Sequence, residues 1–250
     1  MLQSLLGAFN PAAVVVVGLA GIVRGYSGFG FSLAAVPLLS LILPLNTVVP
    51  LALALEALGI LPALPRLWRH ADWPALSLLL CGSILAMPLG LYVLHVGAPW
   101  LLRPAIAVMV LIAVALIWHP PRLGPGASRP GSAFLAGATS GVLNGAAAMS
   151  GPPIIVFMLS SLRSHESMRA TMMLFFSASA TITLAVGLGT GTYASPHLGL
   201  LLWCLPVLAL GIEIGILLQR LATPLLARRV ALLFLALSAT ASLVVSIHTL

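Results

Sequence analysis

Apolar residues in this chain come in long runs; they neither alternate with polar ones nor line one face of a helix. The runs cover 10–24, 31–43, 46–67, 74–96 and 99–118, then 132–145, 152–162, 167–189, 197–221 and 224–248. A helical run of about 20 apolar residues matches the ~30 Å hydrocarbon layer of a bilayer. The pattern therefore predicts an all-α integral membrane protein. Between the two groups, the stretch from Pro120 to Gly131 is rich in proline and glycine, carries charge and reads as a linker.

Composition agrees. Of 250 residues, 61% are hydrophobic and 6% charged, whereas a soluble domain carries about 25% charged residues. The net charge of +7 is the balance of eleven arginines, with no lysine, against four acids, and the arginines are scattered singly or in pairs between apolar segments. That dispersal argues against a nucleic-acid partner and for orientation of the segments by the positive-inside bias. Cys81 and Cys204 lie in apolar stretches without C-x-x-C spacing, so neither a metal site nor a redox pair is expected, and no cofactor is implied. The first residues, Met1 to Leu6, lack a basic n-region, so the first hydrophobic segment is expected to be retained.

The two groups of segments resemble each other. Gly90, Pro99 and Arg103 recur 125 positions later as Gly215, Pro224 and Arg228, and Gly21 and Gly25 recur 120 positions later as Gly141 and Gly145. This predicts a duplicated unit: a first repeat over 1–119, a linker over 120–131 and a second repeat over 132–250. In each unit the first hydrophobic stretch is interrupted, at Arg24–Gly30 in the broken helix 10–43 and at Asn144–Pro153 in the broken helix 132–162. Glycines disfavour helix, and paired prolines remove donors and clash with the preceding turn. The pieces flanking the breaks read as about 17 to 22 Å long at 1.5 Å per residue, too short to span alone.

Each broken stretch is either one discontinuous span or a re-entrant hairpin, and arginine placement arbitrates. If both span, Arg66, Arg69, Arg122 and Arg129 oppose Arg103, Arg163, Arg169, Arg220, Arg228 and Arg229, which is no bias. If both are re-entrant, all except Arg103 fall on one side, as the positive-inside rule prefers. The count decides only the second hairpin; the first follows by similarity and by the absence of arginine before residue 24. The expected architecture is two inverted repeats, each a re-entrant hairpin plus three transmembrane helices, with both termini outside.

Irregular backbone at membrane depth is tolerated only against protein or a watery cavity. Two breaks meeting near the midplane would line one site, with helix N-termini at Phe31 and Ile154 favouring an anion. The candidate substrate-binding residues are Arg24, Ser27, Gly28, Phe29 and Gly30 at the first break, and Asn144, Ser150 and Gly151 at the second. A guanidinium within a bilayer needs a partner or a ligand, so Arg24 either contacts substrate or only snorkels and caps its helix. Glu56, central in 46–67, is a candidate site for a coupling proton or a static partner for Arg24. Glu213 is a second candidate buried acid, expected to pair structurally. Asp72 before Trp73-Pro74 reads as an N-cap, Ser164 and Glu166 suit a helix start, and Trp68, Trp73, Trp100 and Trp118 read as interfacial.

These motifs, taken in order, resemble the TauE/SafE family of sulfite exporters. The resemblance is carried by Arg24-Gly25-Tyr26-Ser27-Gly28-Phe29-Gly30 with Pro37, by Arg69-His70-Ala71-Asp72-Trp73, by Ser150-Gly151-Pro152-Pro153 and by Arg169-Ala170-Thr171. The chain departs from the family pattern at Phe31 and Ser32, where many members continue with glycines. The resemblance implies a non-enzymatic transporter of sulfite, sulfonates or related small organic anions in the bacterial inner membrane. A proton-coupled exporter is the leading expectation, with a small anion, protons and the lipid bilayer as partners. A passive anion channel is the closer alternative. Gly25-Tyr26-Ser27-Gly28 also fits the G-x-S-G pattern of an intramembrane serine protease, which would need a histidine at the serine's depth; the sequence places none there.

Overall fold

Helix persists through most of the apolar runs, carrying Pro37, Pro50, Pro88 and Pro206 in helix interiors, and is interrupted where the backbone turns left-handed at Gly28 and Ala148. The computed structural model describes residues 10–28, 30–96, 108–112, 114–115, 118, 130–159, 164–193 and 198–221, and among these there is no strand. The helices are α1 (Pro11–Ser27), α2 (Phe31–Leu39), α3 (Leu45–Leu58), α4 (Leu64–His70), α5 (Trp73–Val96), α6 (Pro130–Ala147), α7 (Gly151–Leu159), α8 (His165–Gly189) and α9 (Leu198–Leu221). Four stretches among the described residues are long and apolar enough to cross a membrane: Leu45–His70, Trp73–Val96, Glu166–Gly189 and Leu198–Leu218. They coincide with the predicted segments 46–67, 74–96, 167–189 and 197–221. The segment expected at 224–248, most of 99–118, most of the linker, Phe29 and both termini lie outside the described residues.

Helix starts follow local chemistry. The Asn10 side chain accepts the Ala13 N–H at 3.1 Å and Asp72 accepts that of Ala75 at 3.0 Å. Ser164 accepts the Ser167 N–H at 3.3 Å. Each such cap satisfies a donor that the first turn leaves unpaired.

Three boundaries differ from the sequence reading. The run 46–67 is not one helix: α3 stops at Leu58, a 3-10 turn covers Leu61–Ala63, and α4 begins at Leu64. Pro62 and Pro65 remove the donors that would carry α3 onward. The first arms of the broken helices are longer than expected, at 17 and 18 residues. Gly25 and Gly145 do not break them, because each fills a close helix crossing that holds the helix together. The second arm of the second broken helix begins at Gly151 instead of Ile154, since Pro152 and Pro153 fall in its first turn, where a missing N–H costs nothing.

Two close crossings join helices from the two halves of the chain. α5 packs on α6, and α9 packs on α1. A Cβ on Gly82 or Gly90 would collide with the backbone of α6, and one on Gly137 or Gly141 with that of α5. Likewise a Cβ on Gly25 would strike Ile212 of α9, and one on Gly215 would strike Ile22 and Tyr26 of α1. Small residues four apart let backbones approach this closely, the usual packing of helices within lipid. The glycines that repeat in sequence are therefore the ones at these two crossings. The second arm α2 is buried on nearly every face, from Phe31 to Leu39, as a nine-residue helix of about 14 Å must be if it is to sit at membrane depth.

Candidate functional site

Both breaks are built the same way. α1 ends where Gly28 turns left-handed (φ 80) and returns its N–H to Arg24 O at 2.7 Å. α6 ends where Ala148 turns left-handed (φ 56) and returns its N–H to Asn144 O at 2.8 Å. Asn144 thus stands in the second break where Arg24 stands in the first, 120 positions earlier.

Arg24 is buried, 2% exposed, and so is Glu56 at 4%. Arg24 Nη1 donates to Glu56 Oε1 at 3.1 Å, and its Nη2 reaches Glu56 O at 3.3 Å and Ser177 Oγ at 3.4 Å. The other carboxylate oxygen, Oε2, accepts the hydroxyl of Ser32, the second residue of α2. Ser177 closes the ring by donating to Glu56 O at 2.9 Å. The Arg24 Nε–H is buried and has no acceptor among the described residues. This ion pair and its hydroxyls join α1, α2, α3 and α8.

Asn144 has a neutral counterpart of this arrangement. Its amide donates to Ser179 Oγ at 2.9 Å and Thr183 Oγ1 at 3.0 Å, both on α8, and Ser179 also meets Ser83 of α5 at 3.0 Å. Ser140 donates to Ser150 O at 2.6 Å, tying the second break to its own first arm. Tyr193, whose hydroxyl burial holds neutral by raising its pKa, donates to Gly145 O at 2.8 Å.

The two breaks share a pocket. Gly30 and Ser32 from the first and Met149, Ser150 and Gly151 from the second line it, with Glu56, Leu33 and Phe176. Its volume is about 10 Å³, room for about one water. Of the candidate residues, Gly30, Ser150 and Gly151 line this pocket, and so does Glu56. Arg24 lies behind Glu56, Ser27 Oγ bonds Val23 O at 2.7 Å within its own helix, and Asn144 turns to α8. Phe29 is outside the described residues.

A larger cavity of about 570 Å³ lies beside the first break, with Gly25, Gly59, Arg66, His70, Arg169 and Met173 among its lining. Arg169 lines this cavity and reaches the first break. Its Nη2 donates to Gly25 O at 3.0 Å, and its stem lies where a Cβ on Gly28 would be. Glu213 corrects the sequence reading: it is exposed and lines this larger cavity, and no ion pair of it occurs among the described residues. The helical face carrying it turns away from the α1 crossing that buries Gly211 and Gly215.

Sequence reasoning missed Arg169, Ser32 and Ser177 as members of the site. A signal existed for the last: Ser177, Ser179, Thr181 and Thr183 place hydroxyls in an apolar span at helical i, i+4 spacing. Arg169 enters the sequence reading as a loop charge and as part of the Arg169-Ala170-Thr171 motif, because nothing local shows that it reaches a break far away in sequence.

Residues 13–242 match the family model described as Sulfite exporter TauE/SafE. The chain belongs to this family of membrane transporters, and it is a multi-pass membrane protein. Comparison with curated proteins and with solved structures finds no match.

Proposed function

We propose that this family member is a secondary transporter that exports a small anion, such as sulfite, a sulfonate or a related organic anion, in exchange with or alongside protons across the bacterial inner membrane. The observation that carries the reading is the pocket shared by the two breaks, where the tips of α2 and α7 meet beside a buried ion pair. First-turn N–H groups and the helix dipole favour negative charge at such tips. Arg24, Ser27, Gly28, Phe29, Gly30, Asn144, Ser150 and Gly151 form the proposed binding region, and Glu56 is the proposed coupling site.

A pocket of about one water cannot hold an oxyanion, so binding requires the two breaks to move apart. Two oppositely oriented repeats, 1–119 and 132–250, with both termini outside, would supply that movement by rocking about the site. The larger cavity beside Arg66 and Arg169 then serves as the vestibule of one access state.

A stability-shift screen of the purified protein against sulfite, sulfonates, sulfate and small carboxylates tests the reading, since a ligand raises apparent stability by mass action. Flux in proteoliposomes under an imposed pH gradient separates a coupled carrier from a passive channel, which does not concentrate its substrate. Loss of the reading follows if no small anion either stabilises the protein or crosses with it.

A further inference from the structure

We infer that the Glu56 carboxylate is a tethered stand-in for the transported anion: substrate takes its place on Arg24 and Ser32 only when Glu56 has bound a proton, so anion and proton travel together in the same direction. The inference rests on the anion-carrier reading above and specifies how its site is coupled.

Three observations carry it. First, Glu56 already makes the contacts an oxyanion would make, with one oxygen on the Arg24 guanidinium and the other on the Ser32 hydroxyl in the first turn of α2. Second, the pocket between the breaks is lined by Glu56 and Ser32 and not by Arg24. An anion entering there meets a carboxylate before it meets the cation, and two like charges so close in a dry site repel strongly. Third, the buried Arg24 Nε–H has no acceptor among the described residues, so the guanidinium holds a donor that Glu56 leaves unused. Buried donors are almost always paired, and an added acceptor oxygen would pair this one.

The groups facing Glu56 are few. Arg24 comes from α1, Ser32 from α2, Ser177 and Phe176 from α8, and Met149, Ser150 and Gly151 from the second break. Arg24 is the only other charged group among these described neighbours. Protonation of Glu56 removes the carboxylate's charge, releases Arg24 Nη1 and leaves the cation to the substrate. A singly charged anion plus one proton then crosses without net charge, and outward flow removes acid from the cell.

Methanesulfonate is the decisive probe, because it stays ionised at all working pH values and cannot itself carry the proton. In proteoliposomes of the full chain, wild-type methanesulfonate flux should be unaffected by a valinomycin-set potential and should move protons one for one. Its binding should weaken about tenfold per pH unit over the range where Glu56 gives up its proton. Glu56→Gln should bind methanesulfonate equally at every pH and carry it without protons, now in response to the potential. If wild-type flux follows the potential and moves no protons, the inference is overturned while the carrier reading stands. A Glu56→Gln protein that keeps the wild-type pH slope overturns it equally. If the wild type neither binds nor carries any small anion, methanesulfonate and sulfite included, the carrier reading falls and takes the inference with it.

Discussion

Gly28 and Ala148, 120 positions apart, have the same left-handed backbone and the same hydrogen bond to the residue four before them. Only one of them is glycine. A left-handed conformation costs a residue with a Cβ roughly 1–2 kcal/mol, and glycine's extra unfolded-state freedom returns about 0.5–1 kcal/mol of that difference. Ala148→Gly should therefore leave stability level or raise it by up to about 1.5 kcal/mol. Gly28→Ala should lower it by more than that, because its Cβ would also meet Arg169 Cγ at 2.8 Å. Melting temperatures of the two variants in one detergent test this; equal losses in both would show that the two breaks are not held alike.

The Arg24–Glu56 pair should behave as a unit. Removing one member of a buried ion pair strands the other charge and costs about 3–5 kcal/mol, whereas removing both often costs much less. Arg24→Gln and Glu56→Gln should each lower the melting temperature markedly, and the double variant should recover much of the loss. Strictly additive losses in this cycle would mean the 3.1 Å contact contributes nothing.

Arg169 should matter to transport through the first break and not through loop charge. A hydrogen bond from a charged donor contributes about 1.5–3 kcal/mol, and this one holds Gly25 O at the end of α1. Arg169→Ala should cut anion flux at least tenfold, with Arg169→Lys intermediate, since lysine keeps the charge but not the fork. Arg66→Ala, at an exposed side chain 3.9 Å from Glu166, should change flux little, because exposed pairs contribute about 0–1 kcal/mol. Equal effects of the two alanine variants in a proteoliposome assay would remove the distinction.

The glycine crossings should rank by the space around them. Gly141→Ala forces a Cβ into the Ser83 backbone of α5, whereas Gly189→Ala finds nothing within 4 Å. Overpacking of this sort costs about 1–3 kcal/mol, so Gly141→Ala should reduce the yield of folded protein in size-exclusion chromatography and Gly189→Ala should not. Gly21→Ala, which meets Leu208 O at 3.0 Å, should fall between them.

What could be read from the chain alone was what depends on a residue and its near neighbours. Runs such as 74–96 and 167–189 lower the free energy of a helix in lipid wherever they occur, so α5 and α8 were visible. Gly28 favours a left-handed stop and the paired prolines after Gly151 mark a helix start by local geometry, so both breaks were visible too, although Gly25 and Gly145 looked like part of them. Packing decided otherwise: each of those glycines lets another helix lie against it, and the helix continues.

Only the tertiary structure paired Arg24 with Glu56, or brought Ser177 and Arg169 to a break more than a hundred residues away. Which side chains meet is set by the rotation and depth of each packed helix, and those depend on every crossing at once. A bilayer makes apolar length legible from sequence because lipid contact acts on one segment at a time, whereas a buried charge finds its counterpart only after the segments have assembled.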